Sequence, residues 1–148
     1  MTRLTLPLAD HHKHCDELFA LAEEQAHAGN WTACAESFSH FRNELDAHFA
    51  TEEQCLFPAF EASTGSAGGP TQMMRFEHAQ MRELLAEMAA ALGRKDAAAF
   101  SGEAETLLIL MQQHNMKEEN ILYPMCDRAL QGQSINVEAA LRERLEAA

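Results

Sequence analysis

His114-Asn-Met-Lys-Glu118-Glu119-Asn-Ile-Leu122-Tyr123-Pro124 repeats, at matching offsets, the earlier stretch His48-Phe-Ala-Thr-Glu52-Glu53-Gln-Cys-Leu56-Phe57-Pro58. Residues at i and i+4 share one face of an α-helix, with Cβ atoms roughly 5–6 Å apart. An imidazole and a carboxylate so placed reach a common metal centre, one binding end-on and the other able to bridge. His-x-x-x-Glu alone is weak evidence, and a third pair, His40/Glu44, occurs without the rest of the motif. The doubled glutamate, the leucine, the aromatic ring and the proline make the repeat specific.

Working outward, apolar residues recur at intervals of three and four, the period of helices packed on one side. The first helix is expected from about Leu8 to Ala28, with Pro7 in its first turn and Gly29 closing it. Asn30 is placed to cap the second, which carries Phe38, Phe41, Leu45, Phe49 and Leu56 and is expected to stop near Pro58. Ser63 to Pro70 reads as a loop. The third helix is expected from Thr71 to Leu92, ended by Gly93, and the fourth from an Asp96 cap to Pro124. In the tail, Ser134 to Ala148, the spacing of Val137, Leu141 and Leu145 predicts a fifth, shorter helix. The expected fold is all-α: a single domain over 1–148, an antiparallel up-down four-helix bundle over about 8–128 with the C-terminal helix laid against it.

Composition agrees. Apolar residues make up 47% of the 148 residues, enough for a core. Lys+Arg number 11 against 23 Asp+Glu, a formal charge of −12 that repels nucleic acid and anionic membranes. Cys15, Cys34, Cys55 and Cys126 form no Cys-x-x-Cys pair, and no secretory or membrane-spanning segment is seen. A reduced, cytoplasmic protein is expected, monomeric or homodimeric. Cys15 and Cys55 read as small core residues, and the eight methionines as core filling.

Two ligand-bearing helices need complements. The third offers one histidine, His78; the first offers His11, His12 and His14. With Cys15 as origin and about 100° per residue, the apolar stripe of the first helix averages near zero. His11 then falls about 40° to one side, His12 about 60° to the other and His14 about 100° away. His11 is favoured, with His12 as the alternative. His40 lies eight residues before His48, about 12 Å along the axis, and is assigned to the surface or an outer shell together with His27. Tyr123 falls about 180° from His114 around the helix, which argues against its being a ligand.

At these residues the chain resembles the hemerythrin-like family of HHE cation-binding domains, and most of all the diiron domain of the iron–sulfur-cluster repair proteins. Those share the order His, His-x-x-x-Glu, His, His-x-x-x-Glu. The stretch His11-His-Lys-His14-Cys-Asp-Glu-Leu18 resembles their first-helix motif, with the leading histidine as ligand, and Glu77-His78 resembles the Glu-His of their third helix. Oxygen-carrying hemerythrins have a further histidine four residues after the third-helix one, where Arg82 stands here. The resemblance does not extend to the cysteine-bearing N-terminal domain of the repair proteins.

The expected metal ligands are therefore His11, His48, Glu52, His78, His114 and Glu118. Glu53 and Glu119 are expected to be outer-shell or surface groups, with Glu119 an alternative to Glu118. If both glutamates bridge, each ion receives two imidazoles and two carboxylate oxygens, and an oxo or hydroxo bridge leaves one position open on each. Such a set suits two non-haem iron ions, with manganese also compatible. The expected function is binding, sensing or reacting with O2, NO or peroxide, in nitrosative or oxidative stress. The alternatives are an iron-donating iron–sulfur-cluster repair factor and a non-catalytic helical bundle module. Nothing in the sequence establishes an enzyme.

Overall fold

The helices pack because buried side chains, most of them apolar, recur every seven residues along each of them. On the first they are Leu8, Cys15 and Ala22, interleaved with His12, Phe19 and Ala26; on the second, Cys34, Phe41 and His48, interleaved with Phe38, Leu45 and Glu52. The other two long helices repeat this with Met74, Met81 and Met88, and with Phe100, Leu107 and His114. A seven-residue seam is the signature of near-parallel packing in bundles. In the computed structural model, which describes residues 3–66 and 68–147, every strongly buried stripe faces the common interior.

The elements are α1 (Leu6–His27), α2 (Trp31–Thr51), α3 (Phe57–Thr64), α4 (Pro70–Gly93), α5 (Ala97–Lys117), α6 (Tyr123–Ala129) and α7 (Ser134–Glu146). No strand occurs among the described residues. The expected caps form: Ala33 N–H donates to Asn30 Oδ1 at 3.3 Å, and Ala99 N–H to Asp96 Oδ1 at 3.0 Å. Gly29 takes the left-handed φ of +72° that turns the chain from α1 into α2. Gly93, expected to end the third helix, is instead its last helical residue, and Lys95 adopts the left-handed φ of +56°.

Neither Pro58 nor Pro124 ends its helix. A single π-helical turn, Glu52–Leu56 or Glu118–Leu122, precedes each, and the rod then continues as α3 or α6. Proline has no N–H to give to residue i−4, and its ring clashes with that carbonyl. Widening the turn relieves the clash, and the bonds that remain run from Phe57 N–H to the Glu52 carbonyl and from Tyr123 N–H to that of Glu118.

Two apolar clusters fill the interior. One, around Phe19, Phe38, Phe41, Met81, Met88 and Phe100, occupies one end. The other gathers Leu4, Leu8, Leu56, Phe57, Phe60 and Leu122 under Val137 and Leu141 of α7. On every long helix the histidines and glutamates of interest lie between residues of the first cluster and residues of the second. They form a polar layer sealed on both sides by hydrocarbon.

Candidate metal centre

Three histidines are aimed by carboxylates from the adjacent turn or helix. His78 Nδ1 donates to Glu53 Oε2 at 2.8 Å, His114 Nδ1 to Glu77 Oε1 at 2.8 Å, and His12 Nδ1 to Glu119 Oε2 at 2.6 Å. A carboxylate only accepts, so each Nδ1 carries a proton and each Nε2 is the nitrogen turned inward. Lys117 and Arg82 hold two of the outer carboxylates in turn, Lys117 pairing with Glu77 and Arg82 gripping Glu53 through both terminal guanidinium nitrogens at 2.9 and 3.0 Å. Burial opposes ionisation of Glu53, but the bonds from His78 and Arg82 hold its carboxyl down at about 2.

The fourth histidine is oriented differently. His48 Nδ1 meets His11 Nδ1 at 2.9 Å, and His11 Nε2 lies 3.2 Å from Glu44 Oε2. Burial lowers the basicity of both rings, so both are neutral. His11 Nε2–H donates to Glu44, which leaves His11 Nδ1 to accept from His48 Nδ1–H. The Nε2 of His48 then points to Glu52 Oε1 at 3.6 Å and Glu118 Oε1 at 4.0 Å.

These groups converge in two half-sites. In one, Glu52, His78, His114 and Glu118 bring ligand atoms within 4.8 Å of one another; in the other, His12, His48 and Glu118 do so. Glu52 Oε1 faces both His78 Nε2, at 3.1 Å, and His48 Nε2, at 3.6 Å, while its Oε2 lies 2.7 Å from the Tyr123 hydroxyl. The oxygens of Glu118 divide between the half-sites, with Oε2 toward His114 Nε2 at 3.3 Å and Oε1 toward His12 Nε2 at 3.1 Å.

A metal fits this donor set. Among the described residues, five buried side-chain polar atoms lack a hydrogen-bond partner, and four are Glu52 Oε1, His78 Nε2, His114 Nε2 and Glu118 Oε2. Leaving such a group unsatisfied costs about 1–3 kcal/mol, so four aimed at one point call for a shared cation. Burial alone would make His114 less basic, yet the nearby Glu118, with Glu52 and Glu77, raises it to about 9. Burial and the adjacent Glu118 push Glu52 up to about 7. Without a cation, protons stand in for its charge.

Five of the six expected ligands lie in this layer: His48, Glu52, His78, His114 and Glu118. His11 does not. It sits behind His48, and His12, 4% exposed, takes the inward place. The bundle explains the exchange. A helix packed in seven-residue register holds about 3.5 residues per turn at its seam, and His12 is in register with Phe19 and Ala26. His11 is in register with the half-buried Leu18 and Gln25. Glu118, rather than Glu119, faces the centre. Tyr123 is also relocated, its hydroxyl lying 3.1 Å from Glu118 Oε1 and 3.4 Å from His12 Nε2. The π-turn brings residue i+5 over Glu118, so a constant 100° per residue misplaces it. Glu77 and the Glu44–His11 pair were likewise unassigned, because both act across helices.

The layout is one histidine from each of four helices, with glutamates from the second and fourth, and the pattern of the hemerythrin HHE cation-binding domain matches residues 7–126. The chain belongs to the hemerythrin HHE cation-binding family. It is therefore a metal-binding domain, and its buried His/Glu clusters are able to hold the metal. The chain is also 33% identical to the iron-sulfur cluster repair protein YtfE of Edwardsiella ictaluri (strain 93-146), over 77% of this chain and 59% of the relative. It thus spans less than two thirds of that relative's length. No solved structure matches significantly. Like other stretches of this HHE domain, Cys15 serves packing: burial, with Glu44 and Asp16 nearby, pushes its thiol up to about 12. No helix among the described residues is long and apolar enough to cross a membrane.

Proposed function

We propose that this HHE domain is a non-haem diiron protein that binds, and senses or reacts with, a small molecule of the O2, NO or peroxide class. The observation that carries the reading is the set of four unpartnered buried donor atoms, with Glu118 dividing its oxygens between two half-sites. His78, His114, Glu52 and Glu118 would hold one ion; His12, His48 and the other oxygens of Glu52 and Glu118 would hold the second. Imidazole with carboxylate suits iron, and also manganese. Bound iron supplies redox-active positions for a diatomic ligand. Arg82, committed to Glu53, brings no further imidazole to complete a shell.

The chain's own residues define what surrounds that chemistry. The apolar clusters on either side exclude bulk water from the layer. Tyr123 O–H donates to Glu52 Oε2, and burial beside two carboxylates keeps the phenol protonated, a proton held at the edge of the second half-site. Glu53, Glu77 and Glu119 fix the imidazole tautomers.

A second reading, iron donation to damaged iron–sulfur clusters, is favoured by the likeness to the Edwardsiella iron-sulfur cluster repair protein. Elemental analysis of protein grown in iron-rich medium, with optical spectra before and after NO and O2, tests the first. Near two irons per chain and a spectrum that responds to the gas support it. Less than one metal per chain, unaltered by His48→Ala or His114→Ala, overturns it. Iron that a competing chelator cannot withdraw on a physiological timescale excludes the donor role.

A further inference from the structure

The His40/Glu44 pair that the buried layer leaves unused meets His14 across the α1–α2 interface. His14 Nε2 and His40 Nε2 both face Glu44 Oε1, at 3.4 and 3.8 Å. Both distances exceed that of a good N–H···O bond, yet the three donor atoms lie within 4.8 Å of one another. Two imidazoles converging on one carboxylate oxygen without bonding it well are arranged around a point between them. His14 and His40 are about half exposed and Glu44 is mostly buried, with side-chain exposures of 45%, 58% and 15%.

The surroundings favour a cation that comes and goes. Solvent reaches this point, so water would complete the coordination of an ion held by three protein atoms. Beside it opens a cleft of about 320 Å³ whose polar lining is Asp10, His11, His14, Glu44 and Glu146 with one cation, Arg142. A chain of charge −12 raises the local concentration of cations. The same Glu44 offers its other oxygen to His11, and His11 touches His48 at 2.9 Å. Polar contacts of 3.2 and 2.9 Å therefore lead from Glu44 through His11 to His48 of the buried layer.

We propose that His14, His40 and Glu44 form a third, solvent-exchanging site for a divalent transition metal, which receives the ion before it enters the buried cage. The delivery role rests on the diiron reading; the site itself does not. Two imidazoles and a carboxylate take zinc as readily as ferrous iron, and zinc, having no redox chemistry, is the cleaner probe.

The test compares the full chain with a His14→Ala/His40→Ala variant, which removes only exposed side chains. Each iron-loaded protein is dialysed against graded Zn2+, and iron and zinc are counted separately. The wild type should bind one zinc beyond its iron complement, and the variant should bind it at least tenfold more weakly, since even an outer-shell partner is worth about 10–100-fold. Metal-free variant should also take up Fe2+ about tenfold more slowly at limiting iron, reaching the same final content. Equal zinc binding in the two proteins overturns the site, and equal loading rates overturn its delivery role. An iron count below one per chain in the wild type would sink the cage reading instead, and the zinc comparison would still decide the surface site.

Discussion

His11 and His48 meet nitrogen to nitrogen, Nδ1 to Nδ1 at 2.9 Å, with their rings stacked at an interplanar angle of 7°. The contact makes the first of two neighbouring histidines an outer support and leaves the second, His12, to face the metal layer. The two substitutions should therefore differ in kind. His12→Ala is expected to halve the iron content by removing a donor from one half-site. His11→Ala should keep the stoichiometry while weakening iron about 10–100-fold. Iron per chain and chelator competition, measured on both variants, check the pair; equal loss in the two would refute it.

Tyr123→Phe tests the relocated tyrosine. Phe57 holds the equivalent place in the first repeat and is fully buried, so the shape is tolerated. Removal of the hydroxyl leaves Glu52 Oε2 without its donor at 2.7 Å, which should cost the metal-free protein about 1–3 kcal/mol. Denaturant unfolding of metal-free wild type and variant measures this, and an unchanged midpoint contradicts it.

Glu53 holds His78 by one oxygen and Arg82 by both. Its carboxyl is held at about 2 in the fold against an ordinary 4.5, so its stabilising contribution is complete above pH 4.5 and fades as pH falls toward 2. Glu53→Gln should flatten that part of the acid-unfolding curve and weaken iron about 10–100-fold. A variant as acid-sensitive as the wild type over this range would count against the assignment.

Protons and metal should compete for the layer. His114 is raised from 6.5 to about 9, so the metal-free fold keeps the stability of that proton below pH 6.5 and loses it as pH rises through 9. Metal binding needs deprotonated ligands and has the opposite dependence. Between pH 7 and 9 the melting temperature of metal-free protein should fall while iron affinity rises. Loading near pH 8 should release protons, visible as a difference in binding heat between buffers of unlike ionisation enthalpy; identical heats would be inconsistent with it.

The helices, their caps and most of the donor set were legible because they depend on neighbours along the chain. Apolar spacing, Asn30, Asp96 and the duplicated His-x-x-x-Glu-Glu motif act within a few residues of themselves. The motif's prolines were read as stops, since a proline ordinarily removes a helical bond, whereas the π-turns absorb both.

What remained depends on contacts between distant segments. One residue of register on α1 separates His11 from His12, and the seven-residue packing of four helices against each other resolves it. A local count at 3.6 residues per turn does not. Tyr123 faces the layer because a widened turn changes its phase. Glu44, Glu53, Glu77 and Glu119 acquire their roles only from the histidine that folding sets beside each. Residue types and local spacing sufficed to indicate a His/Glu metal bundle, because coordination chemistry and helical period are short-range properties. Which nitrogen faces inward, and which carboxylate stands behind it, was decided by tertiary packing, which alone places side chains of different helices within hydrogen-bonding reach.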